Sequence, residues 1–313
     1  MRLVPLPVIR YQFIKTTAAS DRQHLEAIIA GADRVAKDFE IAMLWVEGPL
    51  SYMEQLCAVS FRDAGQRVKL YHYGPVQNVP DGIELVDGND ILNADTFITH
   101  GRTGSFALFS DVFRYHLLKK GDRVIWADTD ALCLRPFTSE TGHFFGWESD
   151  HHINGGVLGL PPDSDALGGL LEMTTDEFGI PEWYTGNERA NLEAKAEAGE
   201  PVHVSEMAWG VWGPHAITHY LHKTGEDKYA FPVHGLYPVP FQHRRKMGFT
   251  DKRWRIDKFI QPDSYSVHFY GRRIKQFLAG IGGAPEPDSY IDSVLKKHNI
   301  DIAAAPVPPL REG

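Results

Sequence analysis

Cysteine is scarce: two of 313 residues, Cys57 and Cys133. That excludes a disulfide scaffold and a four-sulfur zinc site, and it suits buried thiols in a reducing compartment. Long apolar runs are missing too, none approaching the roughly 20 residues that span a bilayer. The opening MRLVPLPVIRYQFIK carries two prolines and an arginine through the stretch where a leader needs an apolar core. No small-residue cleavage site follows it, so the expectation is a cytoplasmic chain without signal peptide or transmembrane segment. An excess of cations is also lacking. Against 32 Lys and Arg stand 41 Asp and Glu, a formal charge of -9, which argues against nucleic acid as a partner because duplex affinity rests on neutralised phosphates. What is present, 43% hydrophobic and 23% charged residues, is the composition of a folded protein. At about 150 residues per domain the length fits two domains, or one large α/β domain with insertions.

Residues 21–40, DRQHLEAIIAGADRVAKDFE, place Leu25, Ile28, Ile29, Ala32, Val35 and Ala36 at helical spacing, an added N-terminal element. Strands and helices then alternate. IAMLWV (41–46) reads as a buried strand, and Ser51 with Glu54 as a capping box opening a helix that Gly65 stops. VKLYHY (68–73) and GIELVD (82–87) are further strands. Residues 105–120 carry the broad apolar face of a helix, and RVIWAD (123–128) is a strand running into Asp-Thr-Asp. HFFGWE (143–148), INGGVLGL (153–160) and YSVHFY (265–270) read as later strands. Helices are expected over 167–178, 188–197, 213–223 and 288–297, an irregular stretch over 231–240, and a frayed tail after 300. The alternation predicts an α/β fold, a mixed, mostly parallel central sheet flanked by helices. No linker divides 40–300, so residues 1–39 are an extension, 40–300 one domain with halves near 40–160 and 161–300, and 301–313 a tail.

The strongest local signal is Asp128-Thr129-Asp130, two carboxylates where a parallel strand ends. Ligands of open α/β sheets bind at that edge, and a divalent cation is one way to neutralise such a pair. An Asp-capped turn is the other reading. Asp111 and Arg114 lie three residues apart on one helix face, among Phe109, Val112, Phe113 and Leu117. A plain intrahelical ion pair would do little there; a pair facing a polar site at the sheet edge explains the apolar setting better.

Together WVEGPLSYMEQLCAVSFRDAGQRVKLYHYG, GSFALFSDVFRYHLLKKGDRVIWADTD and GWESDHHINGGVLGLP resemble the DXD-containing sugar transferases of glycosyltransferase family 32, with the glucosyltransferase domains of the large clostridial toxins as more distant relatives. The resemblance covers residues 40–160 well and 205–276 more loosely; 1–38 and 178–204 have no counterpart. It implies a GT-A fold, a nucleotide-sugar donor, a divalent metal and a retaining hexosyl transfer, in a setting such as bacterial surface polysaccharide synthesis. UDP-glucose or UDP-galactose is the implied donor and a GDP-sugar the runner-up. The acceptor would be a glycan, a lipid-linked sugar or another hydroxyl compound.

Carried over by position, Trp45 matches a tryptophan that stacks on the donor's uracil, although a core role for it stands equally open. Asp111 and Arg114 match residues that bind the donor hexose. Asp128 matches the first DXD carboxylate, which reaches ribose and sugar and belongs to the metal site through water, Asp130 the direct metal ligand, and Asn154 an asparagine beside the sugar, with Gly155 and Gly156 letting the backbone approach. His268 and Gly271 reproduce an H-[FY]-x-G segment whose histidine completes the metal site. The ion would be Mn²⁺, or Mg²⁺, with the nitrogen ligand favouring manganese. His151, His152 and His243 compete for that role. The following lysine is displaced to Lys275 by Arg272 and Arg273, so which of the three cations meets the diphosphate stays open. EMAWGVWGPHAIT resembles a WG-x-x-GP segment near the sugars, where Glu206 would be a site group or a helix cap. HRRKMGFTDKRWR (243–255) is a cationic run, either a solvated loop or a contact for phosphate or a membrane.

Overall fold

The computed structural model describes residues 39–93, 97–101, 104–251 and 255–310. The N-terminal helix expected over 21–40 lies outside them except at its end, where Glu40 already opens the first strand. The strands are β1 (Glu40–Leu44), β2 (Gly48–Pro49), β3 (Arg67–His72), β4 (Val76–Gln77), β5 (Ile83–Asp87), β6 (Val124–Ala127), β7 (Ala131–Cys133), β8 (Phe144–Trp147), β9 (Ile153–Gly159) and β10 (Ser266–His268). The helices are α1 (Tyr52–Asp63), α2 (Ala107–Lys120), α3 (Asp165–Met173), α4 (Gly186–Glu197), α5 (Ala216–Thr224), α6 (Val233–Leu236), α7 (Gly271–Gly280) and α8 (Tyr290–Lys297).

Six strands form the central sheet in the order β5-β3-β1-β6-β9-β8. The first four run parallel, while β9 and β8 are antiparallel to their neighbours. Alternation along β1 sets the two faces: Ala42 packs with Trp126, Phe113 and Leu158 under α2, α3 and α5, while Ile41 and Met43 pack with Phe61 and Phe144 on the α1 side. A further layer buries Leu56 and Cys57 of α1 against Ile274 and Leu278 of α7 and Ile291 of α8. Ser51 and Glu54 form the reciprocal capping box that opens α1.

Four local expectations need correction. The helix expected over 167–178 starts at Asp165, capped by Ser164, and stops at Met173. The helix expected over 213–223 starts at Ala216, and Pro214 lies in a kinked turn before it in which Gly213 has non-helical dihedrals. The stretch 231–240 contains the single helical turn α6. The tail is not frayed at its start: the Ala305 carbonyl accepts from Tyr52 N at 2.6 Å, and Ala305 and Val307 are buried.

Candidate functional site

Strands β1 and β6 are hydrogen-bonded neighbours with Ala42 opposite Trp126, so their carboxyl ends leave the sheet side by side. Trp45 follows one and Asp128 the other. Beyond Asp128 the chain turns through Thr129 and Asp130 into β7, which pairs antiparallel with β10 and sets Ala131 opposite His268. That two-stranded ribbon carries a residue from late in the chain to the sheet edge.

Arg114 organises the interior of the site. Its side chain is buried, stacked on Trp126 with the guanidinium carbon 4.8 Å from the ring centre. Nη1 donates to the Gly155 carbonyl at 2.5 Å, Nε to the Ser110 carbonyl at 3.2 Å and Nη2 to Ser110 Oγ at 3.1 Å. Nη2 also lies 3.3 Å from Asp111 Oδ1 and 3.5 Å from Asp128 Oδ1. Trp126 Nε1 donates to that same Asp128 oxygen at 2.7 Å. Burial works against charge on Arg114, but Asp128 and Asp111 more than offset it and its pKa rises. Burial pushes Asp111 up to about 7; Arg114 opposes the shift and Asp128 adds to it. Asp128 also moves up, through burial and the nearby Asp130, against the pull of Arg114.

Asp130 and His268 face one another. Asp130 Oδ2 accepts from Gly271 N at 2.5 Å, at the first residue of α7. Asp130 Oδ1 and His268 Nδ1 are 3.5 Å apart, and each is buried without a hydrogen-bond partner. Buried polar atoms are ordinarily satisfied, so two orphans turned toward each other mark a place for a shared partner. A carboxylate oxygen and an imidazole nitrogen at this separation suit two ligands of one divalent ion. Among the described residues no three His, Cys, Asp or Glu side chains gather as a metal cluster. The protein thus offers Asp130 and His268 as a pair, while one oxygen of Asp128 is turned to Arg114 and Trp126.

Gly156 shows how tightly these groups meet: a Cβ there would lie 3.0 Å from His268 Cε1, 3.1 Å from Asn154 Oδ1 and 3.3 Å from Asp128 Oδ2. Asn154 is fixed at both ends, its Oδ1 accepting from Gly156 N at 2.6 Å and its Nδ2 donating to Glu148 Oε2 at 2.9 Å. Glu148 also meets the Tyr270 hydroxyl, whose pKa burial and that carboxylate drive upward. The His268 ring lies 4.7 Å from Tyr270 and 5.5 Å from Tyr237.

On the other flank, Trp45 is half-buried against the core and its Nε1 donates to the Gly48 carbonyl at 3.2 Å. Lys275 Nζ lies 5.1 Å from the Trp45 ring centre and 2.5 Å from Glu54 Oε1. Of the three cations after His268, Lys275 is therefore the one beside Trp45, and it is already paired; Arg272 and Arg273 are exposed. Glu206 is exposed on a one-turn 3-10 helix and does not cap α5, which has no side-chain cap. His151 is exposed, His152 meets His215 edge-on with ring centres 5.0 Å apart, and His243 lies against Phe259. The WG-x-x-GP segment does reach the site: a Cβ on Gly213 would lie 2.9 Å from Asp111 Oδ2, and Trp212 O accepts from Tyr115 OH at 2.5 Å.

Glu148, Tyr237 and Tyr270 join this constellation without having stood out in the sequence, and Glu54, read there only as a helix cap, joins them through Lys275. The available signals were Glu148 at the end of a strand next to INGG, and Tyr270 inside the H-[FY]-x-G segment.

No known family profile matches the chain, and no curated protein matches its sequence. Among solved structures it is similar to the glycosyltransferase GlyE of Streptococcus pneumoniae, at 12% identity and TM-score 0.34, over 85% of this chain and 62% of that one. The apo form of GlyE aligns at 14% identity and TM-score 0.34, over 85% and 61%. A transferase carrying two cysteine-to-serine substitutions aligns at 12% identity and TM-score 0.31, over 55% of this chain and 92% of that one. This chain thus spans less than two thirds of the GlyE chain, and likenesses this low assign no activity.

Proposed function

We propose that the chain is a retaining, metal-dependent glycosyltransferase of the GT-A type, moving glucose or galactose from a UDP-sugar to a hydroxyl of a glycan or lipid-linked acceptor. The observation that carries the reading is the facing pair of unsatisfied polar atoms, Asp130 Oδ1 and His268 Nδ1, at the carboxyl end of a parallel strand and beside an Arg114-held Asp128. A bound Mn²⁺ or Mg²⁺ would neutralise the diphosphate of the donor as it departs.

The remaining work falls to the chain. Asp111, Arg114, Asp128 and Asn154 hold the hexose, so orientation is their contribution; Arg114 is itself held by Ser110 and Gly155. The Trp45 face offers a stacking surface for uracil, with Lys275 at its side for the phosphates. To meet a phosphate Lys275 must share or leave Glu54. In the transfer, the acceptor oxygen bonds to the anomeric carbon as the anomeric C–O bond to phosphate breaks, and the acceptor proton passes to the leaving phosphate oxygen. No nucleophilic side chain is required.

The test is incubation with Mn²⁺ and a panel of nucleotide sugars while free nucleoside diphosphate is followed. Release from a UDP-hexose, lost in EDTA, is the expected result. Binding without release would mark a non-catalytic module, and phosphate release without a sugar acceptor a phosphohydrolase. Preference for GDP-sugars would overturn the uracil assignment at Trp45.

A further inference from the structure

Several cations on this acidic protein are matched by a carboxylate, among them Arg62 with Asp63, Lys69 with Glu40, Lys223 with Glu182, Arg255 with Asp257 and Lys296 with Asp292. One cluster of arginines has no such match among the described residues, and its members crowd one another. Residues 241–248 form a 3-10 helix packed on α7, with Phe249 against Phe277 at 4.9 Å between ring centres. From these two elements Arg244, Arg245 and Arg273 project together, and none forms an ion pair with a carboxylate among the described residues. Arg244 is folded over the Phe241 ring at 3.8 Å, its Nη1 bonded only to the Phe241 carbonyl and its Nε without a partner. Arg245 lies 6.0 Å from the Phe277 ring centre. Burial, Arg245 and Arg273 together push the Arg244 pKa down, as crowded like charges do.

Apolar side chains are exposed on the same elements: Phe241 at 45%, Phe249 at 37% and Ile281, just past α7, at 38%. Exposed aromatics interleaved with arginines suit a lipid headgroup layer, where the rings reach the acyl boundary and the guanidinium groups meet phosphates. The face also adjoins the site, since Phe241 packs on Tyr270 at 5.0 Å and Tyr270 on His268 at 4.7 Å.

We propose that Arg244, Arg245 and Arg273, with Phe241 and Phe249, form a docking face for an anionic phospholipid surface. Docked there, the Tyr270 side of the site lies against the membrane, and an acceptor carried on a lipid reaches it without leaving the bilayer. Charge complementarity selects this occupant: on a protein of net charge -9 an unmatched cationic face directs association with a negative surface. The proposal concerns attachment and needs no donor, metal or turnover, so it stands or falls separately from glycosyl transfer.

Co-sedimentation of the full chain with vesicles tests it. The protein should bind phosphatidylglycerol vesicles, let go as NaCl rises, and ignore phosphatidylcholine. Each arginine is worth roughly a fivefold change near such a surface, so Arg244→Gln, Arg245→Gln and Arg273→Gln together should weaken binding about a hundredfold. Phe241→Ser with Phe249→Ser should weaken it too. A control of equal charge change on other surfaces, Arg189→Gln, Lys195→Gln and Lys228→Gln, should bind like the parent; circular dichroism shows whether each variant is folded. Absence of binding to anionic vesicles, equal binding to phosphatidylcholine, or an equal loss in the control would overturn the proposal. So would displacement by inorganic phosphate beyond its ionic strength, which would assign the arginines to a soluble phosphate.

Discussion

Arg114 shows how much one side chain can hold. It stacks on Trp126, bridges Asp111 and Asp128, and fixes the Gly155 carbonyl, all from within the core. Removing its charge would leave buried carboxylates uncompensated, so Arg114→Met should cost about 3–5 kcal/mol in a denaturant titration. A subtler test lies across the gap at Gly155, where a Cβ would fall 2.6 Å from Arg114 Nη1 and 2.6 Å from Ile217 Cδ1. Because Arg114 is pinned, Gly155→Ala should destabilise by about 1–3 kcal/mol through overpacking. It should also weaken donor binding, and a variant as stable as the parent would mean that Arg114 moves freely. Asp111 and Arg114 were legible in the sequence because a charged pair amid Phe109, Val112, Phe113 and Leu117 needs a polar neighbour. Glu148 was not, since a single carboxylate at a strand end looks like any surface glutamate until Asn154 and Tyr270 are seen to meet it.

At the scale of elements, caps and periodicity gave the most reliable guidance. The box of Ser51 and Glu54 sets the start of α1, and its carboxylate doubles as the partner of Lys275. Ser51→Ala should cost about 1 kcal/mol by thermal denaturation, as lost N-caps do. A different carboxylate closes the start of α3: Glu226 accepts from Ser164 Oγ at 2.6 Å, Ala166 N at 2.8 Å and His143 Nε2 at 2.9 Å. Burial alone would raise its pKa, but these hydrogen bonds outweigh burial and hold it below the usual range. A depressed carboxyl contributes stability that is fully present above its unfolded pKa of about 4.3 and disappears as pH falls through the folded value. Glu226→Gln should therefore be less stable than the parent by about 1–2 kcal/mol at pH 7, with the gap closing below about pH 4. A gap that persists unchanged into acid would remove the charge from this account. The elements hardest to read were α7 and the pairing of β7 with β10. Three-residue strands have no period to detect, and the amphipathic pattern of α7 begins inside a segment whose chemistry draws the eye first.

Across the whole molecule, the alternation of strands and helices was enough to expect a mostly parallel sheet with flanking helices. It could not announce that β9 and β8 run antiparallel, because a buried apolar run reads alike in either direction. Nor does any local feature of the sequence bring His268 to Asp130; the ribbon of β7 and β10 does so, and it depends on tertiary packing alone. The central claim is that these two residues together hold the divalent ion to which a nucleoside diphosphate binds. Electron paramagnetic resonance of Mn²⁺ added with UDP addresses it directly, because a directly bound imidazole imprints nitrogen couplings on the manganese signal. The parent should show bound Mn²⁺ with such couplings. His268→Ala should lose them while remaining folded, and Asp130→Ala should lose the bound signal. Bound Mn²⁺ with undiminished nitrogen coupling in His268→Ala, or with unchanged affinity in Asp130→Ala, would contradict the account.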